Sequence, residues 1–221
     1  SCSCCCSCQF PISLFVGTAT TAKLGELVEA AAHETAQEED WAAEPDKRYG
    51  FVAVCAGDGL AELFRELGVD RIVTGGQTMN PSTEDILREV EQTPAETVFV
   101  LPNNKNIIMA AEQSARLTEK KVIVVPTKTV PQGIAAMLSL DTYADEDSIV
   151  AAFNDAIANV HTAQVTYAAR DSEFDGHSIR SGEYLGLLDG SLVGSFTETS
   201  ELINELCLNL EKLSPEFINV Y

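Results

Sequence analysis

The chain has 221 residues, of which 45% are apolar and 22% charged, enough for one large domain of ordinary composition. Its formal net charge of −20 argues against nucleic acid and anionic membrane surfaces as partners, because no basic excess exists to neutralise phosphates. The early apolar run "FPISLFVG" is about half of what a membrane-spanning helix needs. Lys23 is the first positive residue, so the basic flank of a signal peptide is missing, and a cytoplasmic protein is expected. The lack of an initial Met reads as a fragment or a processed chain.

Residues 1–24 open on "SCSCCCSC", with Cys2, Cys4, Cys5, Cys6 and Cys8. Clustered thiolates can bind a soft metal, but the spacing is not that of a zinc finger or ribbon. The bland account is a disordered, low-complexity or artefactual head. Residues 25–48 form an acidic helix and linker. Leu24, Leu27, Val28 and Ala31 recur at helical spacing, His33 lies on that helix, and "AAEPDKRYG" follows as a polar connection.

Residues 49–141 alternate regularly. "YGFVAVCAG" reads as a strand and "GLAELFRELG" as a helix; "DRIVTGG" and "STEDILREVEQ", "ETVFVLP" and "NIIMAAEQSARL", "KKVIVVPT" and "VPQGIAAMLSL" repeat the pattern. Short, continuous apolar strands between helices predict a parallel α/β sheet with helices on both faces. Residues 142–221 change character. "DEDSIVAAFNDAIANVH" is an amphipathic helix, "AQVTYAARDSEF" alternates as one half-exposed strand, and Ser181-Gly182 and Asp189-Gly190 mark the turns of an antiparallel hairpin. "TSELINELCLNLEKL" is a last helix, with Thr199 or Ser200 as its cap. This part reads as the beginning of a second, incomplete α/β unit. Cys55 and Cys207 read as buried small hydrophobes.

Three strand-to-helix loops stand out: "TGGQTMNPST", "LPNNKNI" and "PTKTVPQG". In a parallel sheet all emerge at the carboxyl edge. Gly75 and Gly76 permit close approach to backbone. Ser82 or Thr83 suits one helix cap, Asn103 or Asn104 the next, and Pro131 the first turn of the last helix. Gly75, Gly76, Gln77, Thr78, Asn80, Asn103, Asn104, Lys105, Thr127, Lys128 and Gln132 therefore form a candidate binding patch for a carboxylate, a phosphate or a partner's backbone. Plain turn chemistry explains the same residues, and the sequence leaves both readings open. No Walker loop, dinucleotide fingerprint or nucleophile elbow occurs. His161 and His177 have no evident nucleophile partner. Asp171, Glu173, Asp175 and His177 could suggest a metal, although alternate acids on an exposed strand explain them more simply. No catalytic or metal residue is assigned.

"YGFVAVCAGDGLAELFRELGVDRIVTGGQTMNPSTEDIL", "VFVLPNNKNIIMAA", "VIVVPTKTVPQGIAAML" and "AQVTYAARDSEFDGHSIRSGEYLGLLDG" resemble, in order and with matching gaps over about residues 47–195, the C-terminal region of the bacterial fatty acid kinase A subunit, also described as a dihydroxyacetone-kinase-like fusion protein. Residues 25–46 are similar to that family's variable acidic linker; residues 1–24 are not. The resemblance implies a DegV-like fold. It also implies ATP and Mg²⁺ held by an N-terminal nucleotide domain that this chain lacks. The partner it implies is a DegV-like, fatty-acid-binding B subunit. The carboxylate of the bound fatty acid becomes an acyl phosphate. A homodimer is a further option. On this reading the chain is a non-catalytic docking or assembly module; the alternative is a small-ligand domain built on the same loops.

Overall fold

The computed structural model describes residues 42–75, 80–174 and 176–220. The expectations for the Cys-rich head and the acidic helix lie outside them. Nine strands are described: β1 (Lys47–Cys55), β2 (Arg71–Thr74), β3 (Ala95–Leu101), β4 (Lys121–Val124), β5 (Ala163–Tyr167), β6 (Ser172–Phe174), β7 (His177–Ile179), β8 (Tyr184–Leu188) and β9 (Ser191–Phe196). The described helices are α1 (Asp58–Glu66), α2 (Thr83–Glu91), α3 (Ile108–Leu117), α4 (Val130–Leu138), α5 (Glu146–Ala158) and α6 (Thr199–Glu211).

β1 to β4 form a parallel sheet in the order β2-β1-β3-β4, the α/β architecture that the alternation predicts. The strands are apolar throughout because each face has its own core. On one side Tyr49, Phe51, Ala53 and Cys55 of β1 and Phe99 and Leu101 of β3 pack with α1, α4 and α5. On the other, Val52 and Val54 of β1 and Val98 and Val100 of β3 pack with Ile86 and Val90 of α2 and Ala111 of α3. The period-two split follows from strand geometry. Phe99 holds the first core together: it stacks on Phe51 at 5.4 Å and meets Phe153 of α5 edge-on at 5.8 Å. Ile149 and Phe153 are buried in this core, so α5 packs on the parallel sheet. The sequence boundary at residue 141 falls between two helices, α4 and α5, that share one core.

Beyond α5 the chain builds an antiparallel sheet in the order β5-β8-β9 and a separate β6-β7 pair. The stretch expected as one strand is thus broken at 168–171 into β5 and β6, each with its own partner. Asp189 and Gly190 form the β8–β9 turn with φ of 52° and 85°. Positive φ at both central residues makes the tight hairpin whose twist matches its strands. α6 lies on this sheet through Leu202 and Leu206, and both are buried. Gly186 of β8 makes that approach feasible, because a Cβ there would run into the Leu202 side chain. Two expectations fail in α6. Glu198 occupies the N-cap with no side-chain hydrogen bond, so neither Thr199 nor Ser200 caps the helix. Cys207 is exposed, because the buried stripe of α6 runs through Leu202 and Leu206. Cys55 is buried, and burial pushes its thiol pKa up.

Candidate functional site

The carboxyl edge of the parallel sheet carries the loops singled out by sequence. Gly76, Gln77 and Thr78 lie outside the described residues. Gly75 donates its N–H to Cys55 O at 3.1 Å, tying the end of β2 to that of β1. Asn80 is exposed beside the buried Pro81. Ser82 caps α2: its Oγ accepts from Asp85 N–H at 3.1 Å, while Asp85 Oδ2 accepts from Ser82 N–H at 3.0 Å. This reciprocal box satisfies amides that the helix start leaves unpaired. The hydrogen bonds from Ser82, with Arg88 nearby, hold the Asp85 carboxyl below the usual carboxylate range.

The loops after β3 and β4 interlock. Asn103 is buried with φ of 54°, a left-handed conformation that Asn tolerates better than most residues. Its N–H donates to Thr127 Oγ1 at 2.9 Å and its Nδ2 donates to Val54 O, on β1, also at 2.9 Å. Among the described residues, the buried Asn103 Oδ1 has no hydrogen-bond partner, and the side chain presses on Gly133 of α4, where any Cβ would collide with it. Asn103 therefore joins β1, β3, the β4 loop and α4. It does not cap α3, whose N-cap is Ile107. Asn104 is no cap either; its Oδ1 accepts from Asn106 N–H at 2.9 Å.

Thr127 is fully buried. Gln132 turns back on its own loop and accepts from Lys128 N–H at 2.8 Å. Thr129 caps α4, with Pro131 in the first turn, and its hydroxyl meets that of Thr162 at 2.8 Å. Lys105 and Lys128 are exposed. Of the residues proposed as one patch, the structure brings Asn103, Thr127 and Gln132 into the joint between two loops. It leaves Asn80, Lys105 and Lys128 facing solvent. Adjacency of strands, on which a single patch rests, holds for β3 and β4. β1 separates β2 from β3.

That order also marks a place the sequence reading passed over. The connection from the carboxyl end of β1 runs to β2 and that from β3 runs the opposite way, to β4, which makes the carboxyl ends of β1 and β3 the switch point of the sheet. The loop there is Ala56-Gly57, with Gly57 at φ 89° as N-cap of α1. The signal was present in "AGDG", one glycine between β1 and α1 and a second in the first turn of the helix, a glycine signal like the one that drew attention to Gly75-Gly76. Elsewhere, an open groove of about 410 Å³ lies between α2 and α3, lined by Thr83, Glu84, Gln113, Arg116 and Leu117. His161 Nδ1 pairs with Asp189 Oδ2 at 2.7 Å on the surface. Among the described residues no cluster of His, Cys, Asp or Glu converges as a metal site, and no helix is long and apolar enough to cross a membrane. Asp175 lies outside them.

Comparison with known proteins matches residues 50–221 to the C-terminal family of proteins like the fatty acid kinase A subunit. Protein YloV of Bacillus subtilis (strain 168) is 46% identical over 147 residues, 66% of this chain and 27% of that protein. An uncharacterized protein of Staphylococcus aureus (strain USA300) is 40% identical over 159 residues, 70% of this chain and 29% of that protein, and one from strain N315 matches to the same extent. The chain thus spans under a third of the length of these relatives.

Proposed function

Starting from a chain that belongs to the C-terminal family of fatty acid kinase A-subunit-like proteins, we propose that this module serves docking of a DegV-like, fatty-acid-binding partner, or the assembly of kinase subunits, in ATP-dependent formation of acyl phosphates. The observation that carries this reading is the family match over 50–221. ATP and Mg²⁺ belong, on this reading, to a nucleotide domain outside this chain, and the work is cytoplasmic. The carboxyl edge supports a docking role. In its interior, the N–H and Nδ2 of Asn103 and the hydroxyl of Thr127 are engaged in holding the edge together. That leaves Lys105 and Lys128, two exposed cations in a chain of net charge −20, to meet an acidic or carboxylate-bearing surface.

The test is Asn104→Ala with Lys105→Ala in the full-length kinase protein. Partner affinity or acyl-phosphate formation falls while stability drops by no more than about 1 kcal/mol, the cost of the bond from Asn106 N–H to Asn104 Oδ1, since Lys105 is exposed. Full activity with unchanged partner affinity removes this edge from docking. Titration of the isolated chain with Mg-ATP gives no binding; micromolar affinity with turnover overturns the assembly reading.

A further inference from the structure

Resting on the docking role proposed for Lys128, we propose that Thr162 is a positioning residue for that edge: the antiparallel sheet sets the Lys128 loop through a side-chain joint between Thr162 and Thr129. Thr162, the residue before β5, is 7% exposed, whereas His161 and all five residues of β5 are exposed. A buried hydroxyl costs free energy unless it is hydrogen-bonded. This one meets the Thr129 hydroxyl at 2.8 Å, across 33 positions of sequence. Packing alone would suit a valine at this position; the bond requires the hydroxyl.

Thr162 is itself fixed by the β8–β9 hairpin. Its N–H donates to Asp189 Oδ1 and its carbonyl accepts from Asp189 N–H, both at 2.9 Å. The second carboxylate oxygen of Asp189 holds His161 Nδ1 at 2.7 Å. Asp189 is a turn residue with φ of 52°, so the tip of the hairpin clamps the start of β5. The placement of the hairpin therefore fixes the placement of the Thr162 hydroxyl.

On the other side of the joint, Thr129 Oγ1 caps α4 by accepting from Gln132 N–H at 3.4 Å. An oxygen that accepts this amide keeps its own proton to donate, and Thr162 Oγ1 lies within reach to take it. Thr162 thus holds the Thr129 side chain in its capping position. Gln132 Oε1 in turn accepts from Lys128 N–H at 2.8 Å. On the opposite flank of Lys128, Thr127 Oγ1 accepts from Asn103 N–H at 2.9 Å. The Lys128 backbone is therefore pinned from the loop after β3 on one side and from the antiparallel sheet on the other, while its side chain is exposed. Lys105 differs, because its loop is closed locally by the bond from Asn106 N–H to Asn104 Oδ1. The antiparallel sheet acts on one of the two cations.

Two measurements decide it. In this chain, hydrogen exchange followed by NMR at the Lys128 and Gln132 amides quickens about fivefold in Thr162→Val, the worth of one net hydrogen bond. The amides of β1 and β3 keep their protection, and Thr162→Ser restores the wild-type rates. Unchanged rates at Lys128 and Gln132 overturn the proposal. If Thr162→Val fails to fold, Asp189→Gly, which suits positive φ and releases the clamp on Thr162, is read at the same two amides, and unchanged rates again overturn it. In the full-length kinase protein with its fatty-acid-binding partner, Thr162→Val weakens affinity by roughly fivefold but adds nothing in a Lys128→Ala background, since a positioning residue acts only through the residue it positions. Equal losses with and without Lys128 overturn the proposal, as does an affinity that Lys128→Ala lowers and Thr162→Val leaves unchanged. An affinity that Lys128→Ala leaves unchanged overturns the docking role of Lys128 instead, and the exchange rates still decide the joint.

Discussion

The parallel sheet and the antiparallel sheet use the same physics to different completion. β1 and β3 are covered on both faces, with Phe51, Val52, Phe99 and Val100 all at 4% exposure or less. β5, a strand of similar apolar content, is exposed at every position, and one helix, α6, packs on its sheet. A strand's composition therefore does not decide its burial. What decides it is whether the chain supplies a layer for each face, and the alternation of strand and helix up to α5 does so. After α5 the chain runs from strand to strand, and a single helix follows.

Four substitutions, in descending order of expected loss, test that contrast, with a fifth in β5 as the reference for the first. Phe99→Ala removes the ring shared by Phe51 and Phe153 and is expected to cost about 3–5 kcal/mol by chemical denaturation. Tyr167→Ala in dilute protein, at the exposed end of β5, is expected to stay within about 0.5 kcal/mol. Equal losses would show that the two sheets unfold as one cooperative block. Next, Asn103→Ala strips the donor from Val54 O and places a less tolerant residue at positive φ, for an expected loss of about 1–3 kcal/mol. A neutral result would mean that Asn103 does not hold the joint between β1 and the β4 loop. Gly186→Ala comes third. Its methyl group meets the movable end of Leu202, and a loss of about 1–2 kcal/mol is expected. Amide exchange should quicken in α6 and β8 while β1 and β3 keep their protection.

The smallest of the four losses is at the start of α2, where Ser82→Ala is expected to cost about 1 kcal/mol. The pH dependence has a definite sign. Asp85 has a depressed folded pKa, so its contribution is present above the ordinary carboxylate pKa and fades as pH falls through the lower, folded value. The gap between wild type and Ser82→Ala should therefore narrow in acid; a gap constant down to low pH would remove Asp85 from the cap.

Local features were legible before any coordinates. The Ser82 cap, Pro131 in the first turn of α4 and the Asp189-Gly190 turn depend on residues within a few positions of one another, so spacing alone identifies them. The parallel sheet was legible for a related reason: alternating apolar strands and amphipathic helices need both faces covered, whatever the strand order. The tertiary structure decided what long-range pairing controls. With β1 placed between β2 and β3, the loops at the carboxyl edge could not all be neighbours, and the switch point fell at Gly57. Asn103, read as a helix cap from its position before α3, became instead the joint between strands, because its side-chain amide donates to Val54 O, 49 positions away in sequence. Cys207 and β5 teach the same lesson: apolar pattern states what a segment can bury, and only the neighbours that the fold delivers determine whether it is buried.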